Sequence, residues 1–135
     1  MLHDPHPPCP CGRRDARGHA LALGDCCGPA LHGTRDAADA QALMRSRYSA
    51  FVLGDAAYLL SSWHPSTRPS ELALDPQQRW LGLELRAHRA TSADTAEVEF
   101  VARSRPRSGP ALRLHERSRF RREAGRWFYV DGDLL

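Results

Sequence analysis

A chain of 135 residues, 41% apolar and with a net charge of +3, is one ordinary domain or a small one with an appendage, and it can bury a core. No run approaches the roughly 18 consecutive apolar residues of a membrane span, and Met1-Leu-His-Asp-Pro-His-Pro-Pro8 has neither the basic nor the apolar region of a signal peptide. All 19 basic residues are Arg, with no Lys, Asn or Ile, a pattern that reads first as coding bias and discounts any argument from arginine enrichment alone.

The four cysteines come first in the chain, as Cys9-Pro-Cys11-Gly12 and Cys26-Cys27-Gly28. The sequence predicts a cytoplasmic protein, where thiols stay reduced and such a cluster reads as a metal site rather than as disulfides. Two tight turns, each followed by Gly, can aim four thiolates inward, and Gly12 is free to adopt a positive φ. Four such donors suit a tetrahedral structural zinc, which has no geometric preference of its own. The alternative is four unliganded cysteines. His3, His6, His19 and His32 could each replace one sulfur, but they read better as surface histidines. Pro, Gly, Cys and His dominate residues 1–34 without a sustained period, so this stretch is expected to be a metal-organised segment ahead of a domain over 35–135.

From Asp36 the pattern turns helical. Ala40, Leu43, Met44, Arg47, Tyr48, Phe51 and Val52 form one stripe, with Asp36 or Asp39 as N-cap and Gly54 as the stop. A second short helix from Asp55 carries Ala56, Leu59, Leu60 and Trp63, and Pro65 and Pro69 end it. Period-two alternation then predicts strands over Trp80–Arg86, Thr95–Ser104, Ala111–Arg122 and Arg126–Asp131, the last two joined by a turn at Glu123-Ala-Gly125. Helices followed by an antiparallel meander give an α+β fold with the helices on one sheet face.

Cys-Pro-Cys-Gly followed by Cys-Cys-Gly resembles the SEC-C motif, the zinc-binding tail of the SecA translocation ATPase. The likeness continues through Leu43-Met-Arg-Ser-Arg-Tyr-Ser-Ala-Phe51, Trp63-His-Pro65, Trp80-Leu-Gly-Leu83, Phe100-Val-Ala-Arg103, Glu116-Arg-Ser-Arg-Phe120 and Trp127-Phe-Tyr-Val-Asp-Gly132. Across residues 9–133 the chain resembles the YchJ family of small bacterial proteins. That resemblance implies a SEC-C motif ahead of a domain similar to nuclear transport factor 2, a cone of curved antiparallel sheet around helices, and it implies no particular reaction. The loop between the second and third cysteines, Gly12 to Asp25, is fourteen residues and longer than the motif usually has. Lengthening a loop costs little, about 0.6 kcal/mol per doubling.

One strand carries an anomaly. Glu116 and Ser118 fall on its apolar face between Leu114 and Phe120, and a carboxylate there must face a polar pocket or bond a buried Arg. Arg45 and Arg47 are the candidate partners, in a pair that would fix helix against sheet. The functional alternative is a ligand pocket lined by Tyr48, Trp63, His64, Trp80, Glu116, Ser118, Tyr129 and Asp131. In the resembled fold, enzymes such as ketosteroid isomerase work with carboxylates inside the cone, so Glu116 or Asp131 could serve as a general base. Fold analogy is not a site, however, and no catalytic motif of those enzymes is present. A third reading joins Arg103, Arg105, Arg107, Arg113, Arg117, Arg119, Arg121 and Arg122 into a phosphate-binding face. The interleaved Glu97, Glu99 and Glu123 argue instead for a solvated face. The leading expectation is a zinc-binding interaction module that docks a protein partner through residues 1–34, with room for a small ligand in the cone.

Overall fold

The computed structural model describes residues 6–135. Asp39 accepts a hydrogen bond from the Ala42 amide at 2.7 Å and so caps a helix over Ala40–Leu53, which ends at Gly54 in the left-handed conformation, φ 74°. Asp55 does the same for Ala56–Ser61, accepting from the Tyr58 amide at 3.0 Å. These are α2 and α3; a short helix over Gly28–Leu31, α1, precedes them. Four strands follow, β1 (Arg79–Ala90), β2 (Thr95–Arg105), β3 (Leu112–Glu123) and β4 (Arg126–Leu134), hydrogen-bonded in the order β1-β2-β3-β4 with every neighbour antiparallel. The result is the expected α+β architecture. No helix among the described residues is long and apolar enough to cross a membrane.

Alternation on β2 puts Ala96, Val98, Phe100 and Ala102 on the inner face. They pack with Phe120 against Ala40, Leu43, Met44 and Tyr48 of α2. Burying the larger of these, Leu43, Met44, Val98, Phe100 and Phe120, contributes roughly 1.5–3 kcal/mol each. Cys9, Cys11 and Cys27 belong to the same core, so the cysteine segment is seated on α2 rather than hanging from it.

Three bulges interrupt the alternation. Leu81 and Arg86 are unpaired extra residues on β1, and Val130 is one on β4. Each reverses which side chains face inward beyond it, and β1 runs to Ala90, beyond the predicted Arg86. At the free edge of β4, Trp63 makes a parallel bridge to Tyr129, with the His64 amide donating to the Tyr129 carbonyl at 2.7 Å and the Tyr129 amide to the Ser62 carbonyl at 2.9 Å. The chain after α3 thus covers an edge that would otherwise expose unpaired backbone.

Candidate functional site

The fourteen-residue loop between the cysteine pairs folds as a small antiparallel hairpin. Asp15 turns it, its Oδ1 accepting from the amides of Arg17 and His19 at 2.9 and 3.0 Å, and Arg14 bridges to Ala20. A second bridge, Pro8 to Ala22, is flanked by Cys9 N–H to Leu21 O and Leu23 N–H to Pro7 O, both 2.8 Å. The hairpin stem therefore carries the two cysteine turns to the same place, and the extra length goes into its tip. Gly12 takes φ 76°, and at Gly28 a Cβ would lie 2.8 Å from the Leu23 carbonyl oxygen, so both glycines after the pairs are required by the turns.

The ligand atoms of Cys9, Cys11, Cys26 and Cys27 all lie within 4.8 Å of one another. Cys11 Sγ and Cys26 Sγ are 3.6 Å apart, too far for a disulfide and close to the roughly 3.8 Å edge of a tetrahedron with metal–sulfur bonds of about 2.3 Å. Cys9, Cys11 and Cys27 are buried; Cys26 is partly exposed. Crowding splits their acidities. Hydrogen bonds from Cys11 and Cys27 pull the Cys9 thiol far below its ordinary range, while the hydrogen bond with Cys11 pushes Cys27 far above it. Cys26 is pushed up to about 12, first by burial and then by the charge on Cys11. Four sulfurs at these distances cannot all ionise against one another, and a cation at their centre removes that conflict. The donor set therefore fits a soft metal ion. His19 and His32 are not part of the cluster, and His3 lies outside the described residues.

α2 supplies the surroundings. Arg45 Nη1 donates to the Cys11 carbonyl at 3.1 Å and lies 3.8 Å from Cys11 Sγ; one turn later, Ser49 Oγ is 3.5 Å from Cys9 Sγ. Arg45 thus faces the cysteines and not Glu116. A cleft of about 250 Å³ opens beside Cys26 and Cys27, also lined by Arg13, Pro29 and Arg35. Across α1 a second, of about 340 Å³, is bordered by His32, Asp36, Tyr58, Arg126 and Trp127.

Two residues along α2 from Arg45, Arg47 turns into the cone. It is 4% exposed, donates from Nη1 to Leu59 O at 2.7 Å and Ser62 Oγ at 2.6 Å, and lies over the rings of Trp63 and Tyr129 at 5.0 and 4.5 Å. Burial lowers its pKa to about 10, which still leaves it charged at neutral pH. Burial and the charge of Glu116 push Tyr129 up to about 12. Glu116 Oε2 accepts from Ser118 Oγ and stands 3.5 Å from the Tyr129 hydroxyl. Its carboxyl lies across Gly132, where a Cβ would come within 2.6 Å of it. Among the described residues Glu116 makes no ion pair with Arg47, and it acts on that guanidinium through its charge. Trp63 Nε1 is buried without a hydrogen-bond partner.

Arg47, Trp63, Glu116, Ser118 and Tyr129 are therefore gathered in one place. The other pocket candidates lie elsewhere. Tyr48 packs edge-on to Trp80 at 5.7 Å, and Phe51 lies tilted against the same indole at 5.4 Å. His64 Nδ1 accepts from the Ser66 amide at 3.1 Å, which leaves the ring proton on Nε2, 2.9 Å from Glu123 Oε1. Asp131 bonds Arg119 Nε at 2.5 Å on the outer face, because the Val130 bulge separates it from Tyr129. Gly132 and Ser49 were not singled out from the sequence. A Gly flanked by acids in a strand was a signal for the first, and a Ser one turn after Arg45 was a weak one for the second.

Comparison with known proteins agrees with the fold. Residues 39–132 match the family model described as the YchJ middle NTF2-like domain. A UPF0225 protein of Polaromonas naphthalenivorans is 59% identical, over 93% of this chain and 96% of its own length, and one of Streptomyces coelicolor is 51% identical, over 97% and 98%. The solution structure of a SEC-C motif containing protein from Rhodopseudomonas palustris superposes with a TM-score of 0.79 at 34% identity, covering 96% of this chain and 99% of that one. The crystal structure of another from Psychrobacter arcticus gives 0.76 at 31%, covering 95% and 82%. The chain belongs to the YchJ family, with an NTF2-like domain behind a cysteine cluster that can hold a metal ion.

Proposed function

We propose that this protein is a zinc-organised interaction module of the cytoplasm, in which residues 1–34 dock a protein partner and residues 35–135 form the scaffold. The observation that supports it is the convergence of four thiols within 4.8 Å on a hairpin anchored to α2. Zinc suits a closed site of four sulfurs, since it takes tetrahedral thiolates and leaves no position open for chemistry. The metal's role here is structural: it fixes the two cysteine turns and, through them, the clefts on either side of α1. A partner entering these clefts would read a surface that exists only when the turns are held.

A second reading, a small ligand in the cone, is favoured by one observation: beside Tyr129 lie a buried cation, Arg47, and the indole of Trp63, whose buried N–H has no hydrogen-bond partner. One experiment separates the two. Elemental analysis of the purified protein is expected to find about one zinc per chain, and none in a Cys9→Ser/Cys26→Ser variant. Crosslinking in cells then compares that variant with Glu116→Gln. A module loses its partners in the first and keeps them in the second; the opposite result moves the function into the cone.

A further inference from the structure

The arginines of the sheet are sorted by position. Toward one end, each has an acid: Arg89 with Glu97 at 2.8 Å, Arg119 with Asp131 and Asp133 at 2.5 and 2.7 Å, Arg121 with Glu123 at 3.3 Å, and Arg122 with Asp94 at 3.1 Å. At the other end, Arg79, Arg103, Arg105 and Arg113 make no ion pair among the described residues, and neither does Arg107 in the loop that follows. All five are exposed. The acids that interleave with arginine in the sequence therefore neutralise one end of the sheet only.

Register concentrates the free charge. Arg79 stands directly opposite Arg105, and Arg103 directly opposite Arg113, while Arg103 and Arg105 share one face of β2. Directly opposed residues point to the same side, so like charges meet twice, an arrangement that destabilises a sheet unless something neutralises it. A cleft of about 590 Å³ opens there, lined by Pro76, Gln77, Arg79, Leu81, Arg105, Pro106 and Arg107. It has three guanidinium groups on its walls and no carboxylate. Guanidinium forks match phosphate oxygens bidentately. Two arginines two residues apart on a strand are about 7 Å apart, near the spacing of successive phosphates on a nucleic-acid strand.

We propose that this arginine end of the sheet binds the phosphate backbone of a nucleic-acid strand, for which RNA is the probe, with Arg103, Arg105 and Arg79 on successive phosphates and Arg107 and Arg113 at the rim. The contact is sequence-independent, since the guanidinium groups meet phosphates, which carry no sequence information. It lies on the sheet and uses none of the cysteines, so it stands apart from the module proposed above.

The test is fluorescence anisotropy of a labelled 20-nucleotide mixed-sequence RNA with the zinc-loaded full chain, across a salt series. Binding with a log–log salt slope of about −3 is expected, as for four to five phosphates on a single strand. Arg103→Ser/Arg105→Ser is expected to weaken binding at least tenfold and to shallow the slope by about 1.4. Those arginines have no partner to lose, and removing them relieves repulsion, so the unfolding midpoint of this variant should hold or rise. Arg89→Ser/Arg122→Ser removes the same charge at the neutralised end and should cost no more than about twofold. Equal losses from the two pairs, no binding at low salt, or preferential binding of phosphatidylglycerol vesicles or polyglutamate over RNA each overturn the proposal.

Discussion

The cysteine centre and the cone interior are built beside each other on one helix by opposite means. In the centre, donors come from two short turns, each closed by a glycine and lashed together by backbone bonds of the hairpin. In the cone, polar groups arrive singly from α2, α3, β3 and β4 and are held by one another's side chains. Arg45 and Arg47 mark the boundary. The first donates to Cys11, the second to Leu59 and Ser62. Turns can assemble a site that a metal then finishes, whereas side-chain networks must be completed by folding itself. The metal end should therefore respond to metal and the cone end to packing, with the shared core coupling the two.

The largest effect is expected at the cysteines. Removing Cys9 and Cys26 takes the metal's binding free energy out of folding, so the Cys9→Ser/Cys26→Ser variant should unfold more than about 10 °C lower than the zinc-loaded protein. Adding a chelator to wild type should reproduce most of that shift and leave the variant unmoved. If calorimetry finds the same midpoint with and without metal, the two regions are independent and the shared core does not couple them.

Arg47 tests the other side. In Arg47→Leu the Leu59 carbonyl and Ser62 hydroxyl lose the guanidinium donor, the carbonyl keeping Ser62 Oγ at 3.1 Å, and two ring contacts go with it. Relief from burying the guanidinium offsets part of this, leaving a loss of about 3 kcal/mol. Urea unfolding should show that loss at unchanged zinc stoichiometry. Loss of zinc in this variant would mean that the helix, and not the turns, builds the metal site.

What the sequence made legible follows from the same contrast. The helix caps at Asp39 and Asp55, the stop at Gly54 and the inner face of β2 are local signals, and the residues state them directly. The cone's polar cluster was only half visible. Glu116 and Ser118 stood out against an apolar face, and so did Arg47 on its stripe. Their arrangement depends on bulges that no alternation reveals. Tyr129 and Asp131, two residues apart, share a face in a regular strand; the extra Val130 sends one inward and the other to Arg119. The hairpin between the cysteine pairs was equally hidden, since its strands are too short for a period, and only Asp15 and Gly18 hinted at its turn.

A smaller effect is expected at Arg45. It contacts a sulfur ligand without supplying one, so Arg45→Met should keep one metal per chain and weaken it about tenfold, by removing a positive donor from beside the thiolates. Competition with a calibrated chelator at constant pH measures this directly. Arg45→Lys retains charge but not the fork that reaches both the carbonyl and the sulfur, and should recover only part of the affinity. An unchanged affinity in Arg45→Met would restrict Arg45 to anchoring the Cys11 backbone.

The smallest effect should come from His64 and Glu123, whose side chains pair with each other outside both regions. The hydrogen bond from His64 holds the Glu123 carboxyl below its usual range, with Arg121 adding a weaker pull. A carboxylate stabilised in the folded state adds stability that is complete above the unfolded value of about 4.3 and disappears as pH falls through the lower folded value. Glu123 is exposed, so solvent screens most of this. Glu123→Gln keeps an acceptor for His64 Nε2 and removes the titration. Urea midpoints of wild type and variant should therefore differ slightly at neutral pH and converge as pH falls through the lowered folded-state value. Acid also strips a thiolate-bound metal, so both proteins should carry the Cys9→Ser/Cys26→Ser change. A difference that persists at low pH would show that His64 anchors the chain at the edge of β4 through shape and not through charge.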